Sequence, residues 1–180
     1  MELGLTKDEV KIVPYNAEWK NEFDRIKVAI LQTTNINDNQ IEHIGSTAIV
    51  EMKAKPIIDI LVGVKEISEI NRDFEQALRS IGFYRLRVAR PNEVVFAKFK
   101  DETFEIKTHF IHVVNFKDDL WENLLFFRNY LNEHEDAKLE YIQLKEAYLE
   151  TRATGINDYT NFKEDFVMRI FSKRILGVSE

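Results

Sequence analysis

Asp59 sits inside PIIDILV, an otherwise apolar run. An ionised carboxylate taken into a dry interior costs several kcal/mol unless something pairs with it. About a dozen residues earlier come Gly45, Ser46 and Thr47. A strand ending in Gly45, followed by two hydroxyl residues at a helix start, presents backbone N–H groups and hydroxyls at one point, which suits an anion. If the strand carrying Asp59 lies beside the first, its carboxylate comes within reach of that anion. Mg²⁺, with one or two carboxylates plus phosphate oxygens, is the usual cation between two such negative groups. Lys53 and Lys55, on the connection, could neutralise phosphate or pair with Asp59. Plainer readings stand beside these: Ser or Thr caps a helix without any ligand, and Asp59 could be paired with Lys55 or with backbone N–H groups.

Four histidines occur. His43 precedes the Gly-Ser turn, while His109 and His112 share one strand-like segment. Three apart on a regular strand, those two point to opposite faces and cannot jointly chelate a metal unless a bulge re-aims one. His134 reads as a solvated residue in a first helical turn. A histidine in a core is ordinarily a hydrogen-bonded structural group, so each carries that reading as well. Arg128, among Phe126, Phe127, Tyr130 and Leu131, could lay its stem on apolar surface and reach a phosphate with its fork, or close a salt bridge. Lys145 and Lys163 fall on helical segments, where lysine usually faces solvent.

The elements that must position these groups follow from periodicity. Trp19, Phe23, Ile26 and Ile30 form one stripe on a helix over about 17–31, with Asn16 as its cap. IEHI is a short strand broken by Gly45, and STAIVEMKAK is either a short helix opening at Ser46 or a loop. PIIDILVGV, β-branched and apolar on both faces, suits a central strand. A second helix is expected over about 66–81, stopped by Gly82. FYRLRV, EVVFAKFK and TFEIKTHFIHVV read as strands joined by turns at RPNE and KDET, and hence antiparallel. From Asp118 onward the pattern is helical: Trp121, Leu124, Leu125 and Phe127 mark one helix. Asn132 and Glu135 form a capping-box start for the next, with Ala137, Tyr141, Leu144 and Tyr148 as its stripe. Tyr159, Phe162, Phe166 and Ile170 mark the last. The order is helix, strand, strand, helix, three strands, three helices, an α+β arrangement in a single domain over 1–180 with a helical section over about 118–172.

Composition sets the outer bounds. Twenty-five Lys plus Arg against 31 Asp plus Glu give a net charge of −6, which argues against unspecific binding to nucleic acid. No stripe of basic residues interleaved with aromatics points to nucleic acid either. With no cysteine, thiolate metal sites and Cys nucleophiles are excluded. No apolar run is long enough to span a membrane, and the amino terminus lacks a signal-peptide core, so a cytoplasmic protein is the default expectation.

The run HIGSTAIVEMKAKPIIDILVGV, with YNAEWKNEF before it and THFIHVV and LLFFRNYL after it, resembles the GrpB family of the nucleotidyltransferase-fold superfamily, over about Val13 to Phe171. The resemblance implies a nucleotidyltransferase-like mixed β-sheet with helices on one side and a helical carboxy-terminal section. The superfamily motif is a Gly-Ser turn followed by a strand bearing one or two acids, with another acid on a later strand. Carried over, the turn is Gly45-Ser46 and the first acid is Asp59. Leu61 stands where active nucleotidyltransferases often show a second carboxylate. Glu105, on the alternating TFEIK segment, is the candidate third acid and shares the metal with Asp59, with Glu93 behind it. At least one of His109 and His112 is expected to face the cleft.

On this resemblance Asp59, Glu105 and His109 would carry chemistry, and His43, Gly45, Ser46, Thr47, Lys55, His112 and Arg128 would hold phosphate. The implied ligand is a nucleotide or small phosphorylated molecule and the implied cofactor Mg²⁺. The implied reaction is in-line attack of a small-molecule hydroxyl on a nucleotide α-phosphorus. A non-catalytic nucleotide- or phosphate-binding accessory module is the alternative, and a third reading leaves the aromatic helices to protein contacts alone, with no partner readable. Asp59→Ala is expected to remove Mg²⁺-dependent binding, while Lys145→Ala should barely matter.

Overall fold

Burying Trp19, Phe23, Ile26 and Ile30 from one helix face contributes on the order of 2 kcal/mol per side chain. In the computed structural model that face belongs to helix α1 (Glu18–Thr33), and all four are buried. Residues 1–6, 9–88, 90–150 and 161–177 are described. Asn16 Oδ1 accepts from the Glu18 amide at 2.9 Å, opening the helix as its side chain predicts. The chain continues through β1 (Ile41–Ile44), β2 (Ile58–Val64), α2 (Arg72–Ser80), β3 (Phe83–Arg85), β4 (Val94–Phe99) and β5 (Lys107–Asn115). It ends in α3 (Asp119–Glu133), α4 (Glu135–Glu150) and α5 (Glu164–Leu176).

The five strands form one mixed sheet in the order β1-β2-β5-β4-β3. β2 is parallel to β5, and the other three pairings are antiparallel. Strand alternation then sorts the side chains. Ile58, Ile60 and Val62 of β2 join Ile111 and Val113 of β5 under α1 and Leu78 of α2, forming the main core. On the other face Leu61, Ile44 and Val114 pack against Trp121 of α3. A third cluster ties Phe127 and Leu131 of α3, Tyr141 of α4 and Phe166 and Ile170 of α5 to Ile49 and Met52. The expected α+β architecture is the one observed: α1 and α2 share one side and the helical section covers part of the other. Among the described residues no helix is long and apolar enough to cross a membrane.

Three local expectations are corrected. The second helix begins only at Arg72, because Asn71 caps it by accepting from the Phe74 amide; a 3-10 turn (Ile67–Glu69) precedes it. The strand expected to include TFEIK starts at Lys107, after Phe104 takes a positive φ of 58°. Asn132 caps no helix start; its Oδ1 accepts from the Val50 amide at 2.9 Å and so fastens α3 to the segment after the Gly-Ser turn. Tyr159, expected on the last helix, lies outside the described residues.

Candidate functional site

Antiparallel register places Ile44 opposite Asp59, so the next residue, Gly45, arrives beside the Asp59 side chain. Gly45 has φ +70°, and a Cβ there would lie 2.5 Å from Asp59 Oδ2. Both the backbone conformation and the close approach demand glycine. Gly45→Ala is therefore expected to destabilise the fold by about 1–3 kcal/mol, measured by denaturant unfolding; an unchanged midpoint would contradict the contact. The turn after Gly45 is a single 3-10 turn (Ser46–Ala48), with the Ala48 and Ile49 amides spent on Gly45 O and Ser46 O. Of the two alternatives for this segment, the loop is closer to what is seen, and no helix dipole focuses on this point.

Gly45, Ser46 and Asp59 open into a cavity of about 180 Å³ whose other walls include Lys55, Lys163 and the rings of Phe110, Phe127 and Tyr141. Beneath it lies Lys145, only 1% exposed. Its Nζ donates to the Lys53 carbonyl and, at 3.4 Å, to Ser46 Oγ, and lies 4.6 Å from the Tyr141 ring centroid. The sequence placed this lysine on a solvated helix face; the structure puts it under the site. Burial, and then the charge of Lys163, push its amine down to about 7, with Glu146 partly opposing. Lys55 is pushed down to about 8 by burial and again by Lys163, against a smaller opposite pull from Asp59. Lys53 turns its ammonium outward to Glu146 at 2.6 Å.

On the other side of Asp59, β5 brings up His112. Phe110 is the register partner of Asp59 and His112 that of Leu61, so all four side chains belong to one sheet face. His112 Nε2 lies 3.4 Å from Asp59 Oδ1, and its Nδ1 is hydrogen-bonded to Glu93, which also receives Arg90 at 3.3 Å. Burial alone lowers the imidazole, but the hydrogen bonds to Asp59 and Glu93 outweigh it and raise it to about 9. Burial raises the Glu93 carboxyl, but the hydrogen bonds and charges of His112 and Arg90 together outweigh it and leave the group below the usual carboxylate range.

The remaining candidates divide by face. His109 points to the opposite side, where Nε2 meets Glu22 of α1 at 2.9 Å and the ring edges against Phe83. It belongs to the structural core, away from Asp59. Glu105 is exposed in the loop before β5 and lines none of the Asp59 cavity; the acid that approaches Asp59, through His112, is Glu93. His43 is buried, stacked on Phe23 at 4.8 Å, with Nε2 3.0 Å from Thr47 Oγ1. The Thr47 hydroxyl donates to Ile57 O at 3.3 Å, so His43 donates to Thr47; of the two, Thr47 lines the Asp59 cavity and His43 does not. Arg128 holds Glu42 at 2.7 Å and the His43 carbonyl at 2.9 Å, which makes it a helix-to-strand tie. His134 is half-buried, stacked on Tyr130 at 3.7 Å, with Nδ1 2.9 Å from the Tyr130 carbonyl oxygen.

The donor set does not fit a magnesium pair. Leu61, where a second carboxylate would stand, is fully buried against Trp121. Asp59 contributes one carboxylate already facing the His112 ring, and Glu93 is held on the far side of that ring. Among the described residues no three His, Cys, Asp or Glu side chains could hold a metal ion.

The family described as GrpB protein matches residues 9–173. Glutamate-rich protein GrpB of Alkalihalophilus pseudofirmus is 38% identical over 172 residues, spanning 95% of this chain and 99% of that one. The crystal structure of conserved protein GrpB from Enterococcus faecalis superposes with a TM-score of 0.77 at 27% identity, covering 91% of this chain and 96% of that one. A partial overlay, with a TM-score of 0.48 at 14% identity, is found with a Cid1 poly(U) polymerase variant bound to MgATP, over 71% of this chain and 41% of that one.

Proposed function

The chain belongs to the GrpB family, and on that premise we propose that it is a nucleotidyltransferase-like protein that binds a nucleotide or other small phosphorylated molecule in the cavity between the Gly45-Ser46 turn and β2. The observation that carries this reading is the crowding of lysine amines around one small cavity. Lys55 and Lys163 line it and Lys145 lies under its floor. Such crowding is unfavourable on its own and favourable once a phosphate sits among the amines, each charge-assisted hydrogen bond then contributing about 1.5–3 kcal/mol. Because Ser46 Oγ accepts from Lys145, its own hydrogen is left to donate toward the cavity. Phe110, Phe127 and Tyr141 offer apolar surface to the rest of the ligand.

Binding without transfer is the form the geometry supports best, since Leu61 is committed to the core and, among the described residues, no group of three His, Cys, Asp or Glu side chains could hold a metal. Transfer to a small-molecule acceptor is the second reading, favoured by Asp59, which lines the cavity with its side chain 30% exposed. Thermal melts with ATP, CTP, GTP, UTP and inorganic phosphate, each with Mg²⁺ or with EDTA, separate the two. The expected result is stabilisation by at least one of these compounds that is indifferent to Mg²⁺. Stabilisation that requires Mg²⁺ would favour transfer; none with any compound would overturn the phosphate site.

A further inference from the structure

We propose that His112 is the fixed cation of this site, bridging Asp59 and Glu93 so that the carboxylates are neutralised by a side chain and refuse a divalent metal. The inference deepens the phosphate-binding reading and rests on it only for the ligand. Its own basis is geometric. Ionised carboxylates only accept hydrogen bonds, and a ring nitrogen can satisfy one only by donating. With Asp59 facing Nε2 and Glu93 bonded to Nδ1, both nitrogens donate and the ring is positive.

The surroundings add to the refusal of a divalent metal: Arg90 approaches Glu93 from outside, and Lys55 and Lys163 line the cavity with Asp59, so an incoming metal cation would meet these positive side chains as well. With His112 in place, no group of three His, Cys, Asp or Glu side chains among the described residues could hold a metal, and Leu61 beside it is apolar and buried. The arrangement resembles a metal centre in which one ligand direction from each carboxylate has been taken by an imidazolium. Asp59 is thereby held against Gly45 in one orientation, with one of its oxygens already facing the ring.

Direct titration with Mn²⁺, followed by its electron paramagnetic resonance signal and carried out with no phosphate compound present, tests the assignment independently of the ligand. The wild-type chain is expected to bind no Mn²⁺ at millimolar concentration. His112→Gln should acquire a site at least tenfold tighter than any wild-type binding, and adding Asp59→Asn or Glu93→Gln in that background should abolish it. Wild-type binding of Mn²⁺ or Zn²⁺ that Asp59→Asn removes would overturn the proposal, because His112 would then be a ligand and Glu93 its support. A folded His112→Gln with no gain in metal affinity would also overturn it. Should that variant fail to fold, the wild-type titration decides alone. A chain that refuses metal and yet ignores every phosphate compound would sink the binding reading and leave the role of His112 intact.

Discussion

Lys145→Met is expected to weaken binding of the best phosphate ligand at least tenfold, in contrast to the small effect that a solvated helical lysine would predict. The side chain is 1% exposed, and its amine joins the Lys53 carbonyl to Ser46 Oγ. Methionine fills the volume but donates nothing, so Ser46 loses the partner that leaves its hydrogen to the cavity, and a charge beside the anion disappears. Stability should change less: the Lys53 carbonyl loses a donor, at about 1–3 kcal/mol, while the cost of burying an amine is removed. Calorimetric titration of both proteins measures the affinity, and equal values would refute the role.

The same substitution has a signature in alkali. An amine with a folded value of about 7 against 10.5 when free binds fewer protons folded than unfolded between those limits. Its contribution to stability therefore rises with pH across that window. Lys55, at about 8, acts in the same sense, whereas His112, raised to about 9, loses its contribution as pH climbs from about 6.5 through 9. The difference between the two proteins isolates Lys145: the melting temperature of Lys145→Met relative to wild type should fall steadily from pH 7 to 10.

Acid should destabilise the fold through the two histidines of the main core. Burial holds both His43 and His109 down at about 4, although Asp59 opposes it at the first and Glu22 at the second. Above about 6.5 neither imidazole costs anything. As the pH falls from there toward 4, the unfolded chain takes up protons that the folded chain refuses, and stability falls by up to about 3 kcal/mol for each ring. Melting followed from pH 7.5 to 4.5 should show the loss, and His43→Gln should remove roughly half of it. A melting temperature flat across that range would show that neither ring resists protonation.

How much of this was legible beforehand depended on whether the signal was local. The helix and strand order followed from apolar spacing, and the meeting of Gly45 with Asp59 followed from a turn joined by a short connection to a central strand. The opposite facing of His109 and His112 also followed from strand period alone. Lys145 was misread although a signal existed: with Tyr141 and Tyr148 it forms an i, i+4, i+7 stripe, the burial pattern of an apolar residue. Glu93 had no such signal, because its partnership with His112 depends on the β4–β5 register, set by residues far apart in the chain. Arg128 offered two partners of equal chemical fitness, phosphate or carboxylate, and only the packing of α3 over β1 decided for Glu42.

Trp121 closing over Leu61 also acts as a one-way gate in sequence space. An aspartate drifting into this position would enter a dry layer between α3 and the sheet, where nothing solvates it, before any metal could reward its arrival. Restoring a paired-acid centre would require the helix to lift first, so descendants of this chain are far freer to vary the cavity's lysines than to rebuild that pair.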